Sequence, residues 1–449
     1  MSAGVAADPA EALRAALAAH GRGALDEAAA ALDRAAVVAP GHPDLLHLRG
    51  LVAMGRGARA EAISWLERAT RAAPGTALYW NNLGFARREA GDVEGAMQAL
   101  ARAIALQPGY ASAHNNLGAT LASRALYADA ARCFDAAIAL SGGQGEGHDD
   151  ARLNRARAML CMGRLGEGWD DHRFRPTRLA ATAQDWRLPA DASGLRLALA
   201  GEQGVGDELF FLRFAPLAAA RGAAPAFDGD ARLAGMAARA GIPRATGAGE
   251  RRIAIGDLPY VLGCGDADMP RPLPVAPLED CMRRAAALLA PLPRPIVGVA
   301  WRAGGVAGAH DTTRQLPPAR LGLALRGVPG SFASIQRQPR PGELASFSAG
   351  LGRPVLDLSA VNDDLEMLLA LVASLDALAG VSSTSMHLRC SAGLGSDILV
   401  PFPMDWRWRG AADGSVPWYP GCTAHRQEVG GSWDVALAGF ARAVSARVG

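Results

Sequence analysis

The sequence predicts an α-helical repeat solenoid followed by two α/β domains with parallel sheets. Three observations lead to this fold class. Residues of one type recur every 34 positions in the N-terminal third, short apolar runs alternate with helical patterns from about residue 195, and proline-rich segments near 269–274 and 291–295 divide that second region. The chain has 449 residues, more than one hydrophobic core normally serves, so several domains are expected.

The composition excludes some classes of function. A formal net charge of +2 without a dense basic run offers no basis for binding nucleic acid or membranes through bulk electrostatics. The six cysteines form no C-x-x-C pair, so neither a zinc site nor a disulfide framework is predicted, and we expect reduced, mostly buried thiols. The N-terminus has no basic start and no run of about 18 apolar residues occurs, so a cytoplasmic protein is expected. The chain contains no lysine, so arginine and protonated histidine must make every cationic contact.

The N-terminal repeat keeps its period at several kinds of position. Pro40, Pro74 and Pro108 are 34 residues apart. The same step relates Ala28, Ala62, Ala96 and Ala130; Ala35, Ala69, Ala103 and Ala137; and Gly50, Gly84 and Gly118. Small residues suit the contact between two helices, and a proline ends the second helix because it cannot continue the hydrogen-bond ladder. We therefore predict a superhelix over residues 1–144 with about four helix-turn-helix units, and a helical cap and linker over 145–190.

One repeat unit has Trp80, Leu83 and Gly84 in register with Ala96, Ala103 and Pro108, and this pattern resembles the tetratricopeptide repeat (TPR). Two units also carry Asn-Asn-Leu-Gly, at 81–84 and 115–118. Asparagine is a poor helix former, but its amide offers a donor and an acceptor to an extended peptide. Asn82 and Asn116 are therefore predicted peptide contacts, and the similar asparagine ladder of nucleocytoplasmic O-linked N-acetylglucosamine transferases favours the same role. Alternatively, one asparagine of each pair only bonds the neighbouring repeat.

The apolar runs of the second region predict two doubly wound parallel sheets. The runs and the helical patterns that follow them are Leu195–Ala200 with a helix over Glu208–Ala220, Arg252–Ile255, Ile296–Trp301, Ser331–Gln336, Val355–Leu358 with a helix over Asp363–Ser374, Ala377–Val381 with a helix over Thr384–Ala392, and Ile398–Pro401. The lobes are expected to cover residues 191–290 and 291–449. In this architecture ligands bind beyond the carboxyl ends of the strands, so the loops after strands are the candidate sites.

The stretch GEQGVGDELFF, residues 201–211, is such a loop. Gly204 and Gly206 allow a ligand to approach the backbone closely. Asp207 falls near the start of a helix, where the dipole stabilises its anion, and a carboxylate facing a cleft can take a proton from an attacking hydroxyl. Asp207 is therefore the candidate general base. The alternative is that it is only an N-cap.

A second candidate site follows the run Ala377–Val381. Ser383, Thr384 and Ser385 open a helix, where free backbone N–H groups, hydroxyls and the helix dipole suit a pyrophosphate group. His387 lies one helical turn further and is a candidate phosphate or donor contact. Asn362, Asp363 and Asp364, in an earlier loop, could meet a ribose or base, although a helix cap is the more common role of such residues.

These motifs resemble glycosyltransferase family 9, the heptosyltransferase relatives. The carrying segments are Gly204-Val205-Gly206-Asp207 with the following Phe211–Leu217, and His387-Leu388 in the second lobe. The string from Glu202 to Asp207 is closer still to bacterial proteins that fuse TPRs to such a transferase. The resemblance implies tandem Rossmann-like domains of the glycosyltransferase B (GT-B) type, with a C-terminal helix that packs back across both lobes.

The resemblance also implies roles for individual residues. Asp207 would be the base, and the donor diphosphate would be held by Ser383, Thr384, Ser385 and His387 together with Arg302, Arg314, Gln336 and Arg337. This sequence has serines where the family has an Asp-Thr pair, and this departure leaves both nucleotide selectivity and metal use open. Arg337 stands where the family has lysine, and we expect phosphate binding to survive that exchange with a changed geometry. The aromatic segments PFPMDWRW at 401–408 and PWYP at 417–420 match late segments of the fusion family, and packing is their more common role.

The resemblance therefore implies a glycosyltransferase that moves a sugar from a nucleotide-activated donor to a Ser or Thr hydroxyl of a flagellin-like protein held by the repeats. It implies no metal and no cofactor, the nucleotide sugar being a substrate. A saccharide acceptor is the first alternative. The second is an interaction scaffold whose transferase half has lost its chemistry, and the missing Asp-Thr pair favours it.

Overall fold

The computed structural model describes residues 9–143, 145–178, 185–202, 204–247, 249–303, 315–411 and 413–449. The chain divides into two compact units, Met1–Ala158 and Met159–Gly449. None of the helices described is long and apolar enough to cross a membrane.

The first unit consists of antiparallel helix pairs. Its helices are α1 (Pro9–Gly21), α2 (Leu25–Val38), α3 (Pro43–Gly55), α4 (Arg59–Ala72), α5 (Ala77–Glu89), α6 (Val93–Leu106), α7 (Ala111–Ala122) and α8 (Tyr127–Leu140); α9 (Glu146–Met162) crosses the division between the units. The pairs α1/α2, α3/α4, α5/α6 and α7/α8 pack most extensively, and each pair also packs on the next. This matches the predicted helix-turn-helix units.

The periodic glycines lie where the two helices of a pair touch. A Cβ on Gly50 would stand 2.6 Å from Cγ of Leu66, and one on Gly84 would stand 2.5 Å from Cγ of Leu100. At Gly118 the corresponding neighbour is the ring of Phe134, at 2.6 Å. Each glycine therefore makes room for a large apolar residue of the second helix, which explains the 34-residue period in physical terms.

The second unit begins with α10 (Leu165–His172) and a three-stranded parallel sheet. Its strands are β1 (Arg196–Ala200), β2 (Ala224–Asp228) and β3 (Arg251–Ala254), in the order β2-β1-β3. The connecting helices are α11 (Val205–Leu212), α12 (Ala215–Ala220), α13 (Ala234–Arg239) and α14 (Leu258–Val261). The single helix predicted over 208–220 is wrong in two respects: it begins at Val205, and it divides before Pro216, which takes an N-terminal position of α12.

A six-stranded parallel sheet follows α15 (Glu279–Leu289). Its strands are β4 (Ile296–Ala300), β5 (Ser331–Ser334), β6 (Leu356–Asp357), β7 (Ala377–Val381), β8 (Asp397–Val400) and β9 (Thr423–Arg426), in the order β6-β5-β4-β7-β8-β9. The helices are α16 (Pro318–Leu325), α17 (Glu343–Leu351), α18 (Leu365–Ser374), α19 (Thr384–Ser391) and α20 (Asp434–Val448). This order is that of a doubly wound dinucleotide-binding sheet, which reverses between its first and fourth strands, here β4 and β7.

The C-terminal helix was expected to pack back across both lobes, and the structure corrects this. The main partners of α20 are β7, β8, β9 and α16, all of which belong to the second sheet region. Leu437, Phe440 and Val444 are buried in the core of that region with Val299 and Leu399. The apolar face of α20 is therefore already occupied by one lobe.

Candidate active site

The carboxyl ends of strands from both sheets of the second unit open onto one cavity of about 380 Å³. Residues that follow β1, β4 and β7 all contribute to its lining, as expected where parallel strands end. The lining residues used below are Gly204, Gly206, Asp207, Glu208, Asp230, Arg232, Arg302, Arg337, Asn362, Ser382, Ser383, Thr384, Ser385, His387, Asp405 and Arg407. Asp207 and the start of α19, separated by about 180 residues in sequence, therefore face the same space.

Asp207 lies in the first turn of α11 and is not its N-cap. Gly204 takes the N-cap position in an extended conformation (φ −113°, ψ 163°), so the capping alternative does not describe Asp207. The Asp207 carboxylate forms an ion pair with Arg407, in which Oδ1 of Asp207 lies 2.5 Å from Nη2 of Arg407. The Asp207 side chain remains 32% exposed. Asp207 is thus a carboxylate on the cavity wall that is paired with the guanidinium of Arg407.

The three acidic residues of the loop have three different surroundings. Glu202 is buried and pairs with the guanidinium of Arg175, and its Oε1 also accepts the N–H of Gly256 at 2.9 Å. Asp257 accepts a further hydrogen bond from Arg175 at 2.7 Å. Glu202 is therefore part of a buried ionic network that holds the loop onto the body of the lobe.

Glu208 is a cavity residue that the sequence analysis missed. Its carboxylate is buried against Gly201 and Gly229, and Oε2 accepts the N–H of Asp230 at 2.9 Å. Burial raises the pKa of Glu208, and the nearby negative charges of Asp230 and Asp207 act in the same direction. A carboxyl group with a raised pKa suits proton transfer near neutral pH. Gly201 and Gly229, which directly follow β1 and β2, were the signal, because a Cβ at either position would meet this carboxylate.

The start of α19 presents backbone donors to the cavity. Ser383 is the N-cap, with extended backbone (φ −154°, ψ 169°), and its Oγ lies 2.8 Å from Oγ of Ser385. The first N–H groups of a helix have no intrahelical acceptor, so those of Thr384 and Ser385 belong to a region of positive potential. Ser382 plays another part, since its hydroxyl accepts the indole N–H of Trp408 at 2.6 Å.

His387 is buried in the cavity wall and its ring is held on several sides. Nδ1 lies 2.5 Å from the hydroxyl of Tyr419, and the ring centroid is 5.4 Å from that of Trp408. A Cβ on Gly206 would stand 3.2 Å from Cδ2 of His387, so the start of α11 lies directly against the ring. His387 therefore joins the two halves of the cavity.

Arg407 is the central cation of the cavity and was not predicted. Its guanidinium pairs with Asp207 and, through Nη1, with Asp405 at 3.2 Å, and it stacks on the ring of Trp406 with 4.2 Å between Cζ and the ring centroid. Burial lowers the pKa of Arg407, but the charges of Asp207 and Asp405 outweigh burial, so the net shift is upward. Its Nε is buried and has no hydrogen-bond partner within the described part of the chain. Arg407 belongs to the segment PFPMDWRW, from which only the aromatic residues were predicted to have a role.

Those aromatics are packed, as the alternative interpretation held. Trp406, Trp408, Trp418 and Tyr419 are buried, and Trp408 stacks on Tyr419 with ring centroids 4.6 Å apart. They form the support behind His387 and Arg407.

Arg302 and Gln336 differ in position, although both were predicted to contact the donor. Arg302 lines the cavity, is 4% exposed and donates to the carbonyl of Gln338 at 2.8 Å, and its buried Nε has no partner among the described ranges. Gln336 is buried behind the wall: its Oε1 accepts the N–H groups of Trp301 and Arg302, and its Nε2 donates to the carbonyls of Arg302 and Arg337. The expected ligand contact of Gln336 is therefore replaced by a positioning role.

The remaining residues that were predicted to contact the sugar donor differ in where they lie. Arg337 is exposed and lines the cavity. Arg314, together with the Thr313 beside it, lies outside the described residues. Asp364 caps α18 by accepting the N–H groups of Glu366 and Met367, so the cap interpretation holds for that residue.

Asn362 and the pair Asp230–Arg232 also line the cavity. The Asn362 amide donates to the carbonyls of Ile335 and Ser359. Arg232 pairs with Asp230 at 2.7 Å. Within the described ranges no group of three or more His, Cys, Asp or Glu side chains could hold a metal ion.

The asparagines of the first unit form a chain of hydrogen bonds between repeats. Asn116 donates to Oδ1 of Asn81 at 2.9 Å, Asn81 donates to Asn82 at 3.1 Å, and the Asn82 amide lies 2.7 Å from Nε2 of His47. Asn154 donates to Asn115 in the same way, at 3.1 Å. Both Asn82 and Asn116 thus bond the preceding repeat, which is the arrangement described by the alternative interpretation. Their role as peptide contacts stays a prediction.

Comparison with known proteins identifies the repeat. A family model described as TPR repeat matches residues 86–123. The chain is 27% identical over 334 residues to Protein FlbA of Caulobacter vibrioides, and this match covers 65% of the chain and 54% of FlbA. The chain thus spans about half the length of this curated relative.

Solved structures that resemble the chain include TPR proteins. The crystal structure of MamA has a TM-score of 0.32 at 22% identity and covers 37% of this chain and 88% of its own. Pseudomonas aeruginosa PilF has a TM-score of 0.34 at 20% identity, with 37% and 74% covered. YrrB, described as a TPR protein with an unusual peptide-binding site, has a TM-score of 0.31 at 21% identity, with 38% and 87% covered. The family match thus places a TPR repeat at residues 86–123 of the N-terminal unit, and the second unit is an α/β structure with two parallel sheets.

Proposed function

We propose that the second unit is a glycosyltransferase of the GT-B type that uses a nucleotide-activated sugar. The observation that carries the proposal is the shared cavity of Asp207 and the start of α19, at the carboxyl ends of strands from two parallel sheets. Ligands of doubly wound sheets bind at such points. The cavity also has the size of a small-molecule site, at about 380 Å³.

In the proposed reaction the acceptor hydroxyl attacks the anomeric carbon of the donor sugar. The hydroxyl proton passes to the Asp207 carboxylate as the new C–O bond forms, and the bond from the anomeric carbon to the diphosphate breaks. Glu208, next along α11, is the alternative base because its buried carboxyl also lines the cavity. General-base catalysis of this kind contributes roughly 10²–10⁴-fold to the rate.

The nucleoside diphosphate leaves with negative charge on its terminal oxygen. The N–H groups at Thr384 and Ser385, the guanidinium groups of Arg302 and Arg337, and the positive end of α19 would neutralise that charge. The guanidinium group of arginine is planar and can donate to two phosphate oxygens at once. A chain without lysine can therefore still bind the diphosphate.

The acceptor class follows from the first unit. TPR units bind peptide or protein partners, so we propose a Ser or Thr hydroxyl of a protein, flagellin-like by resemblance, as the acceptor. A saccharide acceptor is the alternative. The two are separated by incubating the chain with a labelled donor and either candidate protein or oligosaccharide, and finding the label in the protein or in the glycan.

A thermal-shift screen with UDP-, GDP-, ADP- and CMP-sugars tests donor binding. A ligand that binds only the folded chain raises the unfolding free energy by about 2.7 kcal/mol at a concentration of 100 Kd, so a donor produces a clear rise in Tm. We expect one nucleotide class to raise Tm more than the others. A chain whose Tm none of the four classes changes is not a nucleotide-sugar transferase.

One observation favours a second candidate function. Arg407 holds Asp207 in an ion pair within the cavity, so in this state the proposed base has a competing cation. A TPR scaffold with an inactive transferase half would retain such a pair permanently. The same screen distinguishes the two, because an inactive site that has lost its donor shows no shift.

A further inference from the structure

The cavity contains buried donors that the described protein groups leave unsatisfied. Arg407 is 9% exposed and Arg302 is 4% exposed, both line the cavity, and the Nε–H of each has no hydrogen-bond partner among the residues that the structure describes. A buried unpaired donor costs free energy, and the cost is larger for a charged group. Two such donors beside the first turn of α19 indicate a site built for an anion.

The partners of Arg407 differ in how they are held. Asp405 is buried, with 8% of its side chain exposed, and its carboxylate also accepts a hydrogen bond from the backbone N–H of Arg407 at 3.0 Å. Asp207 is 32% exposed, so it is the partner with access to water. An incoming anion can replace Asp207 without disturbing the anchor at Asp405 or the stacking on Trp406.

We propose that Arg407 is the principal side-chain cation for the donor's diphosphate, and that the diphosphate displaces Asp207 from it. The identity of this anion rests on the function proposed above. Without a bound anion, the Asp207 carboxylate pairs with Arg407 and balances its charge. In the occupied cavity Arg407 turns to the phosphate oxygens, and Asp207 is released to accept the proton of an acceptor hydroxyl.

This exchange makes a distinctive prediction about Asp207→Asn. The variant is isosteric and the residue is partly exposed, so the fold is expected to persist. Removal of the competing carboxylate should tighten binding of inorganic pyrophosphate about fivefold. This ratio of affinities corresponds to the free energy of a partly exposed ion pair. A residue that only serves as a base would leave pyrophosphate binding unchanged.

The experiment is isothermal titration of the full chain with inorganic pyrophosphate and then with ADP, UDP, GDP and CDP. The matched control is Asp363→Asn, which removes one negative charge from an exposed residue beside Asn362 without touching Arg407. We expect Asp363→Asn to change the affinity less than about twofold, because an exposed charge is screened. A tightening equal to that of Asp207→Asn would show a general charge effect and overturn the proposal.

A double-mutant cycle shows whether the effect passes through Arg407. Lysine keeps the charge but lacks the fork that can hold Asp405 and an anion together. Arg407→Lys should weaken pyrophosphate binding at least about tenfold, and Asp207→Asn should no longer tighten it in that background. If Arg407→Lys does not fold, the comparison of Asp207→Asn with Asp363→Asn still decides.

The outcomes separate this inference from the proposed function. Tighter pyrophosphate binding by Asp207→Asn, with no nucleoside diphosphate bound, supports the anion exchange and contradicts the transferase. Unchanged or weaker pyrophosphate binding by Asp207→Asn overturns the exchange, even if a nucleoside diphosphate binds. Absence of pyrophosphate binding in both the unmodified chain and Asp207→Asn also overturns it.

Discussion

A methyl group on Gly206 would stand 3.2 Å from Cδ2 of His387, whose ring is held by Tyr419 on its other side. The ring has little room to move, so the start of α11 can approach α19 this closely only with glycine. We expect Gly206→Ala to weaken binding of the nucleoside diphosphate about fivefold, by displacing His387 or α11 by a few tenths of an ångström. Gly166→Ala is the matched control, because Gly166 takes the same second position in α10, does not line the cavity, and has its nearest atom at 3.8 Å. Equal affinities in the two variants would contradict the account.

Transfer activity distinguishes the two carboxyl groups of α11. If Asp207 is the base, Asp207→Asn should lower kcat by about 10²–10⁴-fold, whereas Glu208→Gln should have a smaller effect. The measurement is single-turnover transfer from the donor identified in the screen. The opposite ranking would assign the base to Glu208, whose raised pKa and burial already suit proton transfer.

The Glu202–Arg175 pair should contribute to stability. Both side chains are at most 3% exposed, so Glu202→Gln leaves a buried guanidinium partly uncompensated. Loss of about 3–5 kcal/mol of unfolding free energy is expected, measured by chemical denaturation followed by tryptophan fluorescence. Asp228→Asn breaks an exposed pair with Arg252 and should cost less than about 1 kcal/mol. Comparable losses in both variants would argue against the network.

The first unit offers a test of the repeat packing. Gly84→Ala places a methyl group against Leu100, and we expect a loss of about 1–3 kcal/mol, only partly offset by the better helix propensity of alanine. Gly109→Ala, in a turn with no atom within 4 Å of the new Cβ, should change stability by less than about 0.5 kcal/mol. The measurement is denaturation followed by far-UV circular dichroism, and a stabilised Gly84→Ala would contradict the packing.

His47 gives the first unit a specific dependence on pH. Burial lowers the pKa of His47 to about 4 from its ordinary value of 6.5, against the opposing charge of Asp44. Between these values the unfolded chain binds a proton that the folded chain does not, so stability falls as the pH drops from 6.5 towards 4.

His47→Gln should remove this part of the acid loss, up to about 3 kcal/mol at the lower pH. Denaturation midpoints at pH 7 and pH 4.5 for both chains provide the measurement. A variant with the same difference between the two midpoints as the unmodified chain would exclude His47 as the source.

The sequence predicted the repeat and most strands because each depends on local patterning. The 34-residue spacing reports helix contacts directly, and buried strands such as Ile296–Ala300 and Ala377–Val381 appear as short apolar runs. Two strands were missed. Ala224–Asp228 has a buried centre, but it contains a proline, which argues against a strand in the sequence, and Thr423–Arg426 is polar at the edge of its sheet.

The cavity was predictable only in part, because pairing across the chain leaves no local pattern. The loop glycines, Asp207, Ser383–Ser385 and His387 were identified from their positions after strands. Arg407, 200 residues from Asp207 in sequence, looked like one charge among tryptophans. Gln336 has the chemistry of a ligand contact, but the backbone of Trp301 and Arg302 uses its amide oxygen, which composition does not reveal.

Hydrogen–deuterium exchange with and without a saturating nucleoside diphosphate tests the central claim most directly. The account predicts slower exchange at two segments together, Gly204–Phe211 and Ser382–His387, because both line the ligand cavity. Protection confined to Val275–Pro277 and Ser391–Gly393, which line a separate cavity of about 490 Å³, would contradict it. So would protection of only one of the two predicted segments.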